Sequence, residues 1–398
     1  MSSEQRNVQL VTSLEDLNRL SHVWRGLWDR CEHCRTPFLD FDWVRLWVEH
    51  YRLDGLLRAL VVTQDSGVTG IVPLVLHRYG VGPLGVNVVE TLAGQSRNLV
   101  GLVQPGAEEA VAESVAGFIS QNMLARGTSM RLSLVPEGSR FADALVGAFA
   151  ECGYGKRTST RVVSRAPYVP LPVAWEDYWR AMSHRRKKVL RRAAKALDNK
   201  HSVSFVECGL DEVPWGTRTL YELHQKRWQG AGIRGLFADC RARAFHTAVA
   251  LAHVDSRLIR VSIMMVDGKP VSAHIVGVLD GVAYLMRSGR DESLARYSIG
   301  HLHDINLFQR AIREGLWEAD FLRGAEPYKF YWTSRYRLYN DILVVGRVAH
   351  GLSPVWFVRL WLSVAEFLEH RHTIGEFIGM LRVRRREALE RKRMRLDI

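Results

Sequence analysis

The sequence predicts a mixed α/β protein of two similar domains, each a mixed, mostly antiparallel sheet flanked by helices, followed by a helical basic tail. The chain has 398 residues, of which 47% are hydrophobic, so it can bury more than one core. Each half contains a hairpin signal followed by a helix and a further strand. A proline-bearing segment, 166–172, separates the two halves.

The first predicted domain covers residues 1–165. Hydrophobic periodicity predicts strands at 8–11, 56–62, 68–77, 130–134 and 161–164, and helices at 14–30, 41–51, 108–126 and 140–151. The second and third strands surround an Asp65-Ser66-Gly67 turn, which is typical of a hairpin.

The second predicted domain covers 166–350 and begins with the proline-bearing segment, which we interpret as an extended linker. A basic helix over 175–199, a strand at 203–207 and helices at 217–229 and 239–253 follow. Three strands, 258–266, 271–279 and 282–288, are joined by Asp267-Gly268 and Asp280-Gly281, dipeptides that favour type I′ turns. A helix at 298–314 and strands at 318–322 and 338–345 complete this half, and residues 351–398 form the predicted tail.

The net charge of +13 lies in two short segments. Residues 184–200 hold eight Lys/Arg and one acid, and residues 382–398 hold eight Lys/Arg and three acids. These segments carry +7 and +5, which leaves about +1 on the rest of the chain. A uniformly basic coat for nucleic acid is therefore excluded, and the basic segments need a local explanation.

Several other classes of protein are disfavoured. The sequence contains no apolar run of the length that a membrane span requires and no secretory leader pattern at MSSEQRNVQL, so we expect a cytoplasmic protein. Five cysteines do not form a disulfide framework. Cys31-Glu32-His33-Cys34 lacks a second pair of ligands elsewhere, so we expect no metal.

The clearest local signal is the passage from the strand at 282–288, the third of three consecutive strands that we call the meander, into the helix at 298–314. A helix that starts directly after a strand directs free N–H groups and a positive dipole end at any bound anion. Ser298 can cap this helix, Gly300 allows a ligand to approach the backbone, and Arg296 adds a positive charge. The spacing therefore predicts a phosphate site at residues 298–301, although an ordinary capped helix has the same pattern.

Four sequence motifs resemble the CelD-type acyltransferase family of the GNAT superfamily, which is related to the Fem peptidoglycan aminoacyltransferases. They are Asp267-Gly268-Lys269-Pro270-Val271-Ser272-Ala273-His274, Ser288-Gly289, Arg296-Tyr297-Ser298-Ile299-Gly300, and Asp320-Phe321-Leu322-Arg323-Gly324-Ala325-Glu326-Pro327-Tyr328-Lys329-Phe330-Tyr331-Trp332. The basic stretch 183–192 also resembles the helix that precedes the family's C-terminal unit. The resemblance implies tandem GNAT domains, with acyl-CoA as co-substrate held by the second.

The resemblance also implies which residues form the site. The residues expected to bind the donor are Arg296, Tyr297, Ser298, Ile299, Gly300 and His301. The residues expected to bind substrate are Arg287, Ser288, Arg323, Lys329, Trp332, Arg185 and Arg186. Backbone N–H groups around 286–288 are expected to stabilise the oxyanion that forms during acyl transfer.

Acyl transfer to an amine also requires a group that removes a proton. We expect Glu326 to act as general base, with His274 as the second candidate because imidazole titrates near neutrality. Tyr328 is expected to protonate the leaving thiolate. Each has a structural alternative: a salt bridge from Glu326 to Arg323 or Lys329, a buried hydrogen-bonded His274, and packing of Tyr328 beside Trp332.

The expected function is an N-acyltransferase that moves an acyl group from acyl-CoA to an amine of a small molecule, a sugar, or a cell-envelope or exopolysaccharide precursor. Two alternatives stay open. An aminoacyl-tRNA-dependent aminoacyltransferase would use the basic helix to bind nucleic acid, which the acyl-CoA hypothesis does not involve. A non-catalytic member of a polysaccharide-synthesis complex would instead use the tail, where Trp356, Trp361 and terminal arginines also suit peripheral membrane contact.

Overall fold

The computed structural model describes residues 6–31, 35–65, 67–79, 85–92, 100–230, 234–347, 358, 359 and 362. Most of the predicted tail and three residues of the Cys31–Cys34 motif lie outside this part. The chain divides into an N-terminal unit, which includes described residues 6–166 and 337–347, and a C-terminal unit over Pro167–Tyr336. The described helices include none that is long and apolar enough to cross a membrane.

The N-terminal unit combines antiparallel strands with one parallel pair. Its strands are β1 Arg6–Val11, β2 Ala59–Gln64, β3 Gly67–Val72, β4 Leu74–Tyr79, β5 Val86–Thr91, β6 Leu102–Val103 and β7 Ser129–Pro136. Its helices are α1 Leu14–Arg19, α2 Ser21–Arg30, α3 Phe41–His50, α4 Glu108–Asn122 and α5 Arg140–Phe149. One sheet has the order β1-β2-β3-β6, and β4, β5 and β7 are neighbours in another. The parallel pair is β5 and β7, and α4 lies between them in sequence.

The C-terminal unit begins with the end of β8, which spans Thr158–Pro170. Its helices are α6 Trp175–Ala181, α7 His184–Asp198, α8 Val213–Gly230, α9 Cys240–Ala252, α10 Ile299–Arg313 and α11 Pro327–Phe330. Its strands are β9 Val203–Glu207, β10 Ile259–Val266, β11 Lys269–Leu279, β12 Val282–Arg290 and β13 Glu318–Asp320. They are neighbours in the order β13-β12-β11-β10-β9, and β12 and β13 are parallel.

These units confirm the predicted mixed α/β fold class. The two Asp-Gly hairpins of the meander are also confirmed, since all four turn residues have positive φ, as a type I′ turn requires. Val266 pairs with Lys269 across the first turn, and Leu279 pairs with Val282 across the second. Asp and Gly tolerate this backbone region, which explains why the two dipeptides predicted the hairpins.

Four sequence predictions differ from the structure. The strand predicted at 68–77 is divided at Pro73 into β3 and β4, because proline donates no hydrogen bond to a neighbouring strand. Segment 166–172 is largely strand rather than linker, since Tyr168, Val169 and Pro170 pair with β13. The predicted basic helix is two helices, because Met182 is extended and Ser183 caps the backbone N–H of Arg186. The last strand, β14 Tyr336–Val344, pairs with β7 of the N-terminal unit.

The sheet of the C-terminal unit carries different helices on its two faces. Ser262, His274 and Ser288 are directly opposite one another on β10, β11 and β12, so their side chains share one face. Helix α10 covers this face, because His303 hydrogen-bonds with Ser262. Gly289 is the next residue along β12 and therefore belongs to the other face, where α8 packs.

Gly289 explains how closely α8 approaches the sheet. A Cβ atom at this position would lie 2.7 Å from the backbone nitrogen of His224 and 2.9 Å from the carbonyl oxygen of Leu220. Backbone atoms of a packed helix cannot move away at low cost. Helix packing therefore explains Gly289, the second residue of the Ser288-Gly289 motif.

We expect Gly289→Ala to destabilise the protein by about 1–3 kcal/mol, since the new methyl group would force α8 away from β12. Urea unfolding measures this change. Gly147→Ala on α5 is the control, because no atom lies within 4 Å of the added methyl group and alanine favours the helix. Equal stability of the two variants would contradict the proposed close contact.

Candidate active site

The parallel strands β12 and β13 separate partway along their length. They pair at Val282↔Glu318, Ala283↔Ala319 and Tyr284↔Asp320, and β12 then continues to Arg290 without β13 beside it. The pairing of β12 with β11 also shifts here, because Arg287 lies opposite Ile275 whereas Leu285 lies opposite Val276. Met286 is thus the extra residue of a β-bulge. The separation creates an opening at 285–290, where the sequence analysis placed the oxyanion donors.

Asp320 causes the separation. Its buried carboxylate accepts a hydrogen bond of 2.7 Å from the backbone N–H of Leu322, whose φ of 58° reverses the chain direction. Phe321 then donates its backbone N–H to the carbonyl of Pro167, at 3.0 Å. The Asp320-Phe321-Leu322 part of the long motif therefore bends the chain away from β12.

The predicted phosphate site lies where β12 leads into α10. A 3₁₀ helix, Glu292–Tyr297, ends at Ser298, whose φ is 52°, and α10 begins at Ile299. Ser298 occupies the N-cap position but its side chain makes no capping hydrogen bond. The first turn of α10 contains no acid, so its N-terminal N–H groups and dipole are not neutralised by a carboxylate of that turn.

Arg290 is a residue of this site that sequence reasoning missed. A Cβ atom on Gly300 would lie 3.3 Å from both Cδ and a terminal nitrogen of Arg290, so this arginine extends over the first turn of α10. Its Nε donates to Glu292 at 3.0 Å. Arg296 instead stacks on its neighbour, with the guanidinium carbon 4.7 Å from the ring centre of Tyr297. The signal that could have revealed Arg290 was its position as the last strand residue before the loop.

Tyr297 anchors the loop to the meander. Its ring is buried, and its hydroxyl lies 3.4 Å from Nε2 of His201. Nδ1 of His201 is 2.6 Å from the carboxylate of Asp267 in the first Asp-Gly turn. The hydrogen bond from His201 lowers the pKa of Asp267. Tyr297 therefore holds the loop in place, and its role in donor binding stays a prediction.

A buried polar layer fixes α10 to the sheet. His303 is fully buried, and its two ring nitrogens each lie 2.9 Å from a hydroxyl, Ser262 on one side and Ser272 on the other. His274 packs against it, with ring centres 4.2 Å apart. Burial lowers the pKa of both histidines, so they are neutral near pH 7. The buried, packed environment that was the alternative for His274 is the one observed.

Asp304 links this layer to the surface. Trp332 donates its indole N–H to one carboxylate oxygen at 3.0 Å, and Nδ1 of His274 is 4.0 Å from the other. Nδ1 of His301, in the first turn of α10, is 3.8 Å from Asp304. The ring of His301 stacks on Tyr331, with centres 4.4 Å apart, and Arg186 of α7 lies 5.2 Å from the centre of the Tyr331 ring. Arg186, His301 and Trp332 are thus brought together around Tyr331.

Short helix α11 carries the predicted catalytic carboxylate. Lys329 is only 5% exposed, and its ammonium group donates to the carbonyl of Arg323 at 2.6 Å and to Glu326 at 2.9 Å. Glu326 is exposed at the N-cap of α11, so the ion pair considered as its alternative is present. Burial lowers the pKa of Lys329, and the nearby carboxylate of Glu326 opposes that shift.

Tyr328 lies between these groups and the core. Its ring is 6.2 Å from that of Phe321 in an edge-on arrangement. Burial, with a further contribution from Glu326, raises the pKa of its phenol. The phenol therefore keeps its proton at neutral pH, but the raised pKa also makes it a weaker acid towards a thiolate.

Arg287 faces the opposite side of the sheet from Ser288. There it acts electrostatically on two buried histidines, His224 of α8 and His246 of α9. Burial, with a smaller effect of Arg287, lowers the pKa of each to about 3. Trp228 donates its indole N–H to Nε2 of His224 at 2.9 Å. Sequence periodicity gave no signal for this cluster, because both histidines lie within ordinary amphipathic helices.

Most of the predicted residues thus fall into two groups. Those at the opening and at the start of α10 are Arg287, Ser288, Arg296, Tyr297, Ser298, Ile299, Gly300 and His301. Those on or beside α11 are Arg323, Glu326, Tyr328, Lys329 and Trp332. Arg186 reaches this second group through Tyr331, whereas Arg185 is exposed on α7 and His274 is buried in the polar layer.

The N-terminal unit has a comparable strand–helix–strand unit but different chemistry at the helix start. Helix α4 begins with Glu108 and Glu109 in its first turn. Two carboxylates there occupy the position where a phosphate would bind. Only the C-terminal unit therefore combines the opening between parallel strands with a helix start suited to anions, among the described residues.

Comparisons with known proteins agree with this location. Residues 183–330 match the family model of the acetyltransferase (GNAT) domain. This segment contains α7 to α11, and therefore the opening, the loop before α10 and the α11 residues. This segment is therefore similar to GNAT acetyltransferase domains, whereas the narrower resemblance to the CelD-type family stays a prediction.

Solved structures show the fold of a larger part of the chain. A conserved protein of unknown function from Bacteroides thetaiotaomicron is 13% identical, with a TM-score of 0.54 over 85% of this chain and 100% of that chain. The C-terminal domain (DUF2156) of a protein named as a lysylphosphatidylglycerol synthetase from Agrobacterium fabrum is 12% identical, with a TM-score of 0.52 over 88% of this chain and 97% of that chain. No curated protein matches the chain. At these identities the likeness concerns the fold alone.

The buried histidines predict that acid destabilises the protein. A histidine whose pKa is lowered by folding costs no stability above its unfolded pKa of about 6.5, and stability is lost as the pH falls from there towards the folded pKa. Because the pKa values of His224 and His246 are about 3, each should cost about 2 kcal/mol on moving from about pH 7.5 to about pH 5.

Urea unfolding at the two pH values measures this loss. His246→Leu removes one of these titrations and should reduce the difference between the two free energies of unfolding by about 2 kcal/mol, whatever its effect at neutral pH. An unchanged difference would show that His246 takes up its proton in the folded protein at ordinary pH.

Proposed function

We propose that the chain is an N-acyltransferase that moves an acyl group from acyl-CoA to the amine of a small molecule, a sugar, or a cell-envelope or exopolysaccharide precursor. The observation that carries the proposal is the opening between β12 and β13, which leads to a helix start covered by Arg290. A thioester in the opening and phosphates at the helix start suit the two ends of one extended donor. The GNAT match over residues 183–330 supports the same reaction class.

The donor's phosphates would bind at residues 299–301, where the α10 dipole and the guanidinium of Arg290 both favour negative charge. The absence of a side chain at Gly300 leaves room for Arg290 beside the helix start. The polar layer around His303 stabilises this arrangement by fixing α10 to the sheet. His301, stacked on Tyr331, then forms one wall of the path from the phosphates to the opening.

The reaction would take place beside the bulge at Met286. Attack of the amine on the thioester carbon forms a C–N bond and places negative charge on the carbonyl oxygen, near the backbone N–H groups of 286–288. Collapse of this intermediate breaks the C–S bond and releases the thiolate. Glu326 would accept the proton of the attacking nitrogen, and Tyr328 would protonate the thiolate.

Lys329 would have a positioning role in this scheme. Its ammonium group holds the carboxylate of Glu326 at 2.9 Å and is itself fixed by the carbonyl of Arg323. His274 is less suited to the role of base, because only 4% of the residue is exposed and His303 and Asp304 surround it.

A second candidate function is an aminoacyltransferase that takes its acyl group from charged tRNA. The observation that favours it is the exposed basic face of α7, whose first turn contains no acid. Mass spectrometry of the purified protein under native conditions separates the two candidates, because bound coenzyme A supports the first and bound RNA supports the second.

We expect Gly300→Val and Arg290→Gln each to weaken coenzyme A binding, measured by calorimetry, by about tenfold or more. The valine side chain would press against Arg290 and block access to the helix start, whereas glutamine removes the guanidinium charge. Gly117→Val on α4 is the control, because the added side chain meets no neighbouring atom. Unchanged affinity in folded variants would exclude this phosphate site.

Glu326→Gln should lower the turnover of acetyl-CoA with the best amine of a test panel by about 10²- to 10⁴-fold, because proton removal from the nucleophile is lost. Coenzyme A affinity should hardly change, since the substitution keeps the size of the side chain. Thiol release measures the rate, and Glu176→Gln on the exposed surface of α6 is the control. Near-normal turnover of a folded Glu326→Gln protein would transfer the role to another group or to solvent.

A further inference from the structure

The exposed face of α7 carries a row of positive charges. Arg185, Lys188, Arg192 and Lys195 are spaced at i, i+3, i+7 and i+10 along a helix of 15 residues, so they form one stripe about 15 Å long. All four are exposed. In the described part of the chain, Lys188, Arg192 and Lys195 make no ion pair.

The cations at the start of α7 lie at the positive end of the helix dipole, which makes their position energetically unfavourable. Like charges one turn apart repel each other, and cations in the first turn oppose the positive end of the helix dipole. His184, Arg185, Arg186 and Lys187 all lie in that turn, which has no acid. An external anion would remove both unfavourable terms.

The opposite face of α7 is already used inside the protein. Leu190 and Leu197 are each 1% exposed and belong to two separate cores of the C-terminal unit. The helix therefore cannot insert an apolar stripe into a partner. It can contact an anionic surface only through its cations.

An apolar strip adjoins the basic stripe. Val173 is 97% exposed and Trp317 is 54% exposed, and the backbone of Leu171, two residues before Val173, hydrogen-bonds to Trp317 at 2.8 Å. Trp175 and Trp179 of α6, with ring centres 5.7 Å apart, follow Val173 in sequence and are half-buried against a core of the unit. The guanidinium of Arg191 on α7 lies 5.5 Å from the Trp179 ring. The apolar strip and the basic stripe therefore meet at Arg191.

We propose that this combined surface, the α7 stripe with the strip from Trp317 to Trp179, binds the headgroup region of an anionic lipid membrane. Tryptophans together with Lys and Arg are the side chains that favour the boundary between headgroups and acyl chains. A nucleic acid would use the cations but would leave Val173 uncovered. The contact is peripheral and reversible, and it does not depend on which acyl donor the enzyme uses.

The test is sedimentation of the full chain with phosphatidylcholine vesicles that contain or lack phosphatidylglycerol. We expect binding only to the anionic vesicles, weakening as the salt concentration rises. Replacement of Arg185, Lys188, Arg192 and Lys195 together by glutamine should weaken the binding about tenfold or more. The matched control replaces four exposed cations elsewhere in the same unit, Arg218, Lys226, Lys269 and Arg313, and should bind almost as the wild type does.

Val173→Asp tests the apolar strip separately. This residue is almost fully exposed, so the protein should fold normally, yet vesicle binding should fall several-fold. Circular dichroism checks folding in every variant. An equal loss of vesicle binding in the stripe variant and in its matched control would show that binding depends only on net charge. This result would overturn the proposal. Preferential binding of bulk tRNA over the vesicles, with a steep salt dependence that the stripe variant loses, would also overturn it and assign the stripe to nucleic acid.

Discussion

The site of this protein depends on the point where two parallel strands stop pairing. Continued pairing of β12 with β13 would close the sheet and leave no opening beside Met286. Asp320 prevents this, because its buried carboxylate holds the backbone N–H of Leu322 and the chain turns away. One hydrogen bond to the Asp320 carboxylate thus stabilises the bend at the end of β13, beside the opening.

The polar layer beneath α10 fixes the position of the helix that begins near the same opening. A helix packed on apolar residues alone can slide, whereas His303 requires both Ser262 and Ser272 at hydrogen-bonding distance. Burying neutral imidazoles costs stability in acid, but it defines the height and rotation of α10 on the sheet. The helix start, where we place the phosphates, is fixed by groups that lie a turn deeper in the core.

Sequence patterns predicted the turns and helix starts that depend on local residues. They missed the features that depend on which strands and helices become neighbours. The Asp-Gly hairpins and the start of α10 were predictable because turn residues and strand-to-helix passages have local signatures. The prediction of a linker over the whole proline-bearing segment 166–172 was wrong, since nothing in its composition shows that Tyr168 will pair with Asp320. The place of Arg290 over Gly300 and the histidine cluster around Arg287 likewise depend on which elements become neighbours.

A shared order of elements does not imply shared chemistry in the two units. Both contain a parallel strand pair with a helix between them in sequence, α4 in one and α10 in the other. Helix α4 begins with two glutamates, which satisfy its dipole internally, whereas the first turn of α10 contains no acid and is approached by Arg290. The charge at the helix start, rather than the order of elements around it, therefore favours α10 over α4 for the phosphate site that we propose.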